Sequence, residues 1–305
     1  MKIVFMGTPN FSVRILEELN KKYEVVLVVT QTDKEVGRKK VITYSPVKTK
    51  AMELGLPVFQ PAKLSSDYQP IIDAHADLLV TAAYGQFVPT KVLNTFKNCI
   101  NVHGSLLPKR RGGAPIQRSI IEGDKETGVT IMQMVKGMDQ GVMYAKEATP
   151  ILDSDNQDTL FERLSQIGCK LLLDNIEDIY NGKNLGIPQD EAEATISYNI
   201  ACEEEEFNFN DTSRNIFNKV RGLSHEPGAY FKINGLRVKV YECKIVEDNS
   251  NSIPSTILET KKHLIIKTKD SAIELLVIKV EGKKEMSVQS FLNGQNLFNK
   301  LDLIK

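Results

Sequence analysis

The sequence predicts the α/β fold class: a Rossmann-like, open, mostly parallel sheet, followed by a smaller β-rich, OB-like barrel domain. Short apolar strands alternate with helical segments in the first part of the chain, the pattern of an open sheet covered by helices. After Asp211 the pattern changes to short alternating segments around an Asn-Gly pair, a strong hairpin signal. A composition of 41% hydrophobic and 26% charged residues excludes a disordered or collagen-like chain.

Hydrophobic periodicity predicts the elements of the first part in chain order. A buried strand over 2–6 precedes a helix over 11–19, and the β-branched run over 24–30 is typical of a parallel strand covered on both faces. Ser45 as N-cap and Pro46 as first helical residue begin a helix over 45–54. The remaining elements are strands over 78–82 and 98–102, a helix over 114–122, a strand pair over 128–134 and 142–147, and a helix over 158–180.

The second part contains one predicted helix, over 213–223, and then only strands. Asn234 and Gly235 separate two alternating runs, 229–233 and 237–246, which predicts a β-hairpin. Further strands are predicted over 263–267 and 272–280. Small β-barrels of the OB type often bind nucleic acids, but a fold alone does not establish a function.

Charge and sequence pattern divide the chain into three predicted regions: an α/β domain over 1–186, an acidic linker over 187–206 and a basic β-barrel domain over 207–305. The whole chain is formally neutral, with 39 basic and 39 acidic residues. Residues 207–305 hold 16 Lys and Arg against 11 Asp and Glu, a net charge of +5, whereas residues 187–206 hold 7 acids and no base. A basic second domain is compatible with a polyanionic partner.

The sequence predicts a cytoplasmic protein without a metal or a membrane segment. Its apolar runs are far shorter than the roughly 20 residues that cross a bilayer, and the N-terminus turns polar too soon for a signal peptide. The four cysteines lie far apart without a C-x-x-C pair, so neither a zinc site nor a disulfide framework is indicated.

Two segments carry candidate catalytic side chains. Asn101 and His103 lie two positions apart near the end of a predicted strand, so both face one side at the edge where open sheets bind ligands. An amide donor beside an imidazole suits a reaction in which a carbonyl oxygen gains negative charge. Asp139 lies in a loop between Gly137 and Gly141, and only the fold could bring it to His103.

Other motifs indicate phosphate binding but exclude a dinucleotide. Gly7 follows the first strand, but the G-x-G-x-x-G pattern is absent, which argues against a nicotinamide cofactor. The basic stretch over 38–40 lies in an unusually long loop, and long loops at a ligand edge are often functional. A second basic cluster over 109–111 directly follows the strand with Asn101 and His103. Together these cations could hold phosphates.

The chain resembles the bacterial methionyl-tRNA formyltransferase family. The resemblance is dense over residues 1–150 and continues more thinly to the C-terminus. It is carried by Gly7-Thr8-Pro9, Gly37-Arg38-Lys39-Lys40, Ser45-Pro46-Val47-Lys48, Ala83-Tyr84-Gly85, Asn101-Val102-His103-Gly104-Ser105-Leu106-Leu107-Pro108, Arg111-Gly112-Gly113 and Met138-Asp139-Gln140-Gly141. The Asn-Val-His-Gly-Ser-Leu-Leu-Pro stretch with a distant Asp is specific for folate-dependent formyltransferases in general.

The resemblance implies 10-formyltetrahydrofolate as formyl donor and the α-amine of methionyl initiator tRNA as acceptor. It assigns catalysis to Asn101, His103 and Asp139. It implies folate binding by Tyr84, Gly85, Phe87, Ser105, Leu106, Leu107 and Pro108, and tRNA binding by Arg38, Lys39, Lys40, Lys109 and Arg110. No metal and no stable protein partner are predicted.

Three alternatives are open at this stage. Formyltransferases acting on amino sugars and formyltetrahydrofolate hydrolases share the same catalytic residues. The basic loop over 37–40 and the basic β domain argue against both. A binding module on an inactive α/β scaffold is also conceivable, but the intact set of Asn101, His103 and Asp139 argues against it.

Overall fold

A computed structural model describes residues 1–36, 40–294 and 297–304 of the chain. These residues form two compact units. The first comprises Met1–Pro115, Glu126–Pro150 and Phe161–Tyr198, and the second comprises Ile116–Lys125, Ile151–Leu160 and Asn199–Lys305. The domain division at 186 and 207, with an acidic linker between, stays a prediction.

The strands of the first unit are β1 (Lys2–Gly7), β2 (Glu24–Val29), β3 (Lys34–Val36), β4 (Val41–Thr43), β5 (Val58–Phe59), β6 (Leu78–Ala82), β7 (Asn98–His103), β8 (Arg111–Gly112), β9 (Glu126–Gln133), β10 (Met143–Pro150) and β11 (Ile196–Ser197). Seven of them form one sheet with the order β10-β9-β7-β6-β1-β2-β5. In this sheet β5, β2, β1, β6 and β7 are parallel, whereas β9 and β10 are antiparallel to their neighbours. The predicted Rossmann-like, mostly parallel sheet is therefore confirmed.

Helices follow the strands as the sequence pattern predicts. They are α1 (Asn10–Lys22), α2 (Pro46–Glu53), α3 (Gln69–Asp73), α4 (Thr90–Leu93), α5 (Pro115–Ile121) and α6 (Gln157–Tyr180). Helix α2 begins as predicted, because the Ser45 hydroxyl accepts the backbone N–H of Lys48 and Pro46 occupies the first turn. The short helices α3 and α4 were not predicted, and neither was the β3–β4 hairpin inside the long basic loop.

Parallel pairing places the carboxyl ends of three strands at one edge of the sheet. Gly7 of β1 pairs with Ala82 of β6, and Ala82 pairs with Val102 of β7. The polar residues at the end of β7 therefore lie where an open α/β sheet binds its ligand.

The second unit is built on a curled antiparallel sheet with the order β12-β13-β16-β15-β14, and β17 pairs with β16. Its elements are α7 (Ser213–Gly222), β12 (Ala229–Ile233), β13 (Leu236–Val246), β14 (Ile257–Glu259), β15 (Leu264–Lys267), β16 (Ala272–Val280), β17 (Met286–Ser287) and α8 (Val288–Leu292). The predicted hairpin is present: Ile233 pairs with Leu236, and both turn residues, Asn234 and Gly235, have positive φ. The β-rich class of this part is confirmed.

Helix α7 lies against this sheet through Ile216 and Val220, and the core continues through an aromatic cluster around Phe231. Two short 3₁₀ turns, Glu191–Glu193 in the first unit and Cys202–Glu205 in the second, complete the described elements. Among the described residues, no helix is both long and apolar enough to cross a membrane.

Candidate active site

Asn101 and His103 lie at the carboxyl end of β7, between β6 and β9. Asn101 pairs with Thr81 on one side and Met132 on the other, and His103 pairs with Thr130. The His103 side chain is only 6% exposed, and Asn101 is half-buried. Strand geometry thus directs an amide and an imidazole to the same face of the sheet.

The Thr81 hydroxyl and the Asp139 carboxylate together orient the Asn101 amide. Asp139 Oδ1 can only accept and lies 3.5 Å from Asn101 Nδ2, so Nδ2 is the end of the amide that faces the carboxylate. On the other side, the Thr81 hydroxyl donates to Asn101 Oδ1 at 2.8 Å. Nδ2 carries two hydrogens, so one of them stays available beside the long contact to Asp139.

The imidazole of His103 bridges a main-chain carbonyl and a carboxylate. His103 Nε2 lies 3.0 Å from the carbonyl oxygen of Arg110, which can only accept, so Nε2 carries a hydrogen. His103 Nδ1 faces Asp139 Oδ2 at 3.7 Å, longer than a hydrogen bond. Nδ1 is therefore the ring nitrogen that can exchange a proton.

Asp139 is held in a tight loop between β9 and β10. Its φ is +51°, and its Oδ2 accepts the backbone N–H of Gly112 at 2.8 Å. Gly141 has a steric reason, because a Cβ there would lie 1.9 Å from the backbone carbonyl oxygen of Gln133. At Gly137 the nearest atom to such a Cβ is Gln140 Oε1, at 2.0 Å, which is the end of a movable side chain. The structure brings Asn101, His103 and Asp139 together, as the sequence hypothesis requires.

Several side chains around Asp139 were missed by sequence reasoning. Thr81 contacts Asn101, and Gln189 binds the main chain of the Asp139 loop. Arg111 was predicted as part of a basic cluster that could hold phosphates, and this is wrong: its side chain is 2% exposed and is ion-paired with Glu191. The ion pair raises the pKa of Arg111 and lowers that of Glu191. Gln189 and Glu191 lie in the acidic segment, where net charge was the only signal.

The predicted folate residues form two groups. In the first, Tyr84 is buried and Phe87 is 61% exposed, while Gly85 has a φ of +90°. The main-chain carbonyl of Tyr84 accepts a hydrogen bond from the Thr8 hydroxyl. The phenol oxygen of Tyr84 has no hydrogen-bond partner among the described residues.

The second group, Ser105 to Pro108, follows β7 directly. Ser105 Oγ donates to the carbonyl of Lys109, and the Ser105 carbonyl accepts from the Thr130 hydroxyl, so Ser105 stabilises the turn itself. Leu107 is fully buried, Pro108 is buried, and Leu106 is half-buried.

The structure describes three of the five predicted tRNA residues. Arg38 and Lys39 lie outside the described residues. Lys40 follows them, and its Nζ lies 3.4 Å from Glu35 Oε2. Lys109 is exposed. Arg110 is half-buried and contributes its main chain to the site, since its carbonyl meets His103 and its N–H donates to Thr195 Oγ1 at 2.9 Å.

Comparison with known proteins identifies the family. A family model described as formyl transferase matches residues 1–176, and one described as formyl transferase, C-terminal domain, matches residues 199–296. The chain belongs to the formyl transferase family.

Full-length relatives of this formyl transferase carry a common name. A protein of Streptococcus pyogenes serotype M2 named methionyl-tRNA formyltransferase is 46% identical over 299 residues, 96% of each chain. Two solved structures share the fold at low identity. HypX from Aquifex aeolicus in complex with tetrahydrofolic acid has a TM-score of 0.68 at 17% identity, covering 100% of this chain and 50% of that one. Methionyl-tRNA formyltransferase from Clostridium thermocellum has a TM-score of 0.61 at 18% identity, covering 81% of this chain and 94% of that one.

Proposed function

We propose that this protein is a methionyl-tRNA formyltransferase, which transfers the formyl group of 10-formyltetrahydrofolate to the α-amine of methionyl initiator tRNA for translation initiation. The observation that carries the proposal is the convergence of Asn101, His103 and Asp139 at one sheet edge, with separations of 3.5 and 3.7 Å from the carboxylate. The full-length relative of Streptococcus pyogenes supports the choice of acceptor.

The folate donor supplies an electrophilic formyl carbon, whose oxygen gains negative charge under attack by the amine and whose bond to N10 then breaks. Asn101 would donate an Nδ2 hydrogen to that oxygen, because Thr81 and Asp139 together orient the amide and leave one Nδ2 hydrogen available. Removing one such donor typically costs about 100–1000-fold in rate.

His103 and Asp139 would move the protons. The amine loses a proton as it attacks, and N10 must gain one as it leaves. Since the Arg110 carbonyl occupies Nε2, the proton that N10 gains would pass through His103 Nδ1, the nitrogen that faces Asp139. Asp139 would stabilise the protonated imidazole and accept the amine proton through a water. The proposal uses no metal.

The folate would bind against the two groups of residues described above. A pterin ring needs an apolar wall with a few polar contacts. The half-buried Leu106 and the exposed Phe87 ring supply apolar surface, with Leu107 buried behind Leu106 in sequence, and the Tyr84 phenol is a polar group without a protein partner among the described residues. These residues match what a pterin ring needs. Gly85, Ser105 and Pro108 would shape the backbone of the pocket.

The tRNA would be bound by the basic residues Arg38, Lys39, Lys40, Lys109 and Arg110, which would act on phosphates. Lys109 and Arg110 directly follow the turn after β7, so they lie close in sequence to His103. The protein would act in the cytoplasm, without a membrane and without a stable protein partner.

An acceptor assay tests the proposal. Purified protein with labelled 10-formyltetrahydrofolate should formylate methionyl initiator tRNA and should use an elongator tRNA poorly. Asn101→Ala, His103→Ala and Asp139→Ala should each lower transfer by at least about 100-fold while circular dichroism shows a folded chain. Release of formate to water without transfer would favour the hydrolase alternative, and transfer only to an amino sugar would favour the sugar formyltransferase.

A further inference from the structure

A glutamine from a remote segment holds the main chain of the Asp139 loop. Gln189 Nε2 donates to the carbonyl oxygen of Asp139 at 2.7 Å and to that of Gly141 at 2.8 Å. Both hydrogens of the amide are therefore used, and they bind the loop at two positions separated by one residue. Gln189 lies 50 positions from Asp139 in sequence.

The Gln189 amide has only one orientation that satisfies its partners. Arg111 Nε donates to Gln189 Oε1 at 3.0 Å, and a guanidinium can only donate, so the amide oxygen must face Arg111. The remaining Arg111 nitrogens bind both carboxylate oxygens of Glu191 at 2.8 and 2.7 Å. A bidentate ion pair with Glu191 thus holds the buried Arg111 guanidinium, which in turn orients the Gln189 amide.

The backbone on both sides of Gln189 is hydrogen-bonded to other segments of the first unit. Upstream, Ile187 and Met143 exchange two backbone hydrogen bonds of 2.8 and 2.9 Å. Downstream, β11 pairs with β8, and the backbone N–H of Arg111 donates to the Thr195 carbonyl at 2.8 Å. Gln189 is therefore presented to the loop from a segment anchored before and after it.

We propose that Gln189 is a positioning residue for formyl transfer, which holds the main chain of Asp139 so that its carboxylate stays between Asn101 and His103. The inference rests on the proposed role of Asp139. The Asp139 carboxylate has one short bond, to Gly112, and only long contacts to Asn101 and His103. A displacement of the loop by about 1 Å would take it out of reach, and a shift of that size can cost about 100-fold in rate.

Two substitutions test the role of Gln189 directly. Gln189→Ala should lower kcat by about 10–100-fold, with KM for folate and for tRNA changed less than about twofold, because the lost contact acts on the chemical step. Gln189→Glu keeps the shape but turns an acceptor toward two carbonyl oxygens, so it should lose at least as much activity. Normal kcat in both variants would overturn the inference.

A matched control is Gln69→Ala. Gln69 Nε2 donates to Asp73 Oδ1 at 2.8 Å on the surface of α3, so this variant removes a glutamine hydrogen bond of similar length away from the site. It should keep the wild-type kcat. Thermal melts and circular dichroism of all variants show whether each is folded.

A double-mutant cycle separates positioning from general destabilisation. In single-turnover assays at high enzyme concentration, adding Gln189→Ala to Asp139→Asn should change the residual rate less than about twofold, since the group it positions is already lost. The full 10–100-fold loss in that background would overturn the inference. A fully active Asp139→Asn enzyme would overturn the role of Asp139 as well, whereas an inactive Asp139→Asn beside a normal Gln189→Ala would overturn the inference alone.

Discussion

Replacement of Thr81 by valine should slow formyl transfer while leaving the fold intact. Thr81 lies in the buried strand β6, and its hydroxyl donates to Asn101 Oδ1 at 2.8 Å. Valine has almost the same shape but no donor. The Asn101 amide would lose one of the two contacts that orient it, and Oδ1 would lose its donor.

The size of the effect follows from the bond that is removed. A neutral hydrogen bond contributes about 0.5–1.5 kcal/mol net. Since about 1.4 kcal/mol corresponds to a tenfold change in rate, Thr81→Val should lower kcat by about 2- to 10-fold. Loss of the whole Asn101 donor, at about 100–1000-fold, should cost far more.

Single-turnover formylation of methionyl initiator tRNA measures this difference. Thr81→Ser keeps the hydroxyl and should keep most of the rate, so the pair of variants separates the hydrogen bond from the methyl group. In an Asn101→Ala background, Thr81→Val should have no further effect on rate. An unchanged rate in Thr81→Val, or an equal loss in Thr81→Ser, would refute the orienting role of Thr81.

Three further predictions concern the residues around the site. Gly112→Ala should lower both Tm and kcat, because a Cβ would lie 2.7 Å from the Ser197 carbonyl oxygen at a φ of +101°, a strain of about 1–3 kcal/mol; an unchanged melt would contradict this. Lys48→Met should lower Tm at pH 7, and this loss should shrink as the pH falls below 3.8, the ordinary pKa of Asp33, because hydrogen bonds from Gln60 and Lys48 lower that pKa and the stabilisation is lost on acidification; an equal loss of Tm above and below that pH would be inconsistent with it. Tyr84→Phe should leave Tm without folate unchanged or higher, since the buried phenol, whose pKa burial raises to about 12, has no partner among the described residues; a clear drop in Tm would show a missing partner.

Side-chain pattern predicted the parts of the site that alternate along one strand. Asn101 and His103 face the same side because β7 is extended, and that follows from sequence spacing alone. The Arg110 carbonyl that binds His103 and the Gly112 N–H that binds Asp139 could not be predicted in this way. They are peptide groups, which every residue carries, so no residue type marks them.

The β3–β4 hairpin was missed for a different reason. Each of its strands has only three residues, and all three residues of β4 are exposed, so β4 buries no apolar face that would produce alternation. The loop is nevertheless anchored: Lys48 Nζ lies 2.6 Å from Asp33 Oδ2 and 3.9 Å from the centre of the Tyr44 ring. One lysine of α2 thus contacts both ends of the basic loop. That contact depends on the turn into α2 rather than on any property of the loop sequence.

The net charge of a segment is a poor guide to its environment when the ion-pair partners of its residues lie in another segment. Residues 187–206 hold 7 acids and no base, a composition typical of a solvated connector. Within the first unit, however, Glu191 binds Arg111 from 80 positions away, and within the second unit Glu204 binds Arg118 from 86 positions away.

The two members of the first ion pair differ in exposure. The Arg111 side chain is 2% exposed, so its charge needs a partner in the protein, whereas the Glu191 side chain is 68% exposed and can be solvated by water. Removing Glu191 would leave a buried guanidinium without its carboxylate, beside the amide that binds the Asp139 loop. Part of the acidity of the 187–206 segment therefore serves the buried Arg111 and the half-buried Arg118, although a count along the sequence would place these acids in solvent.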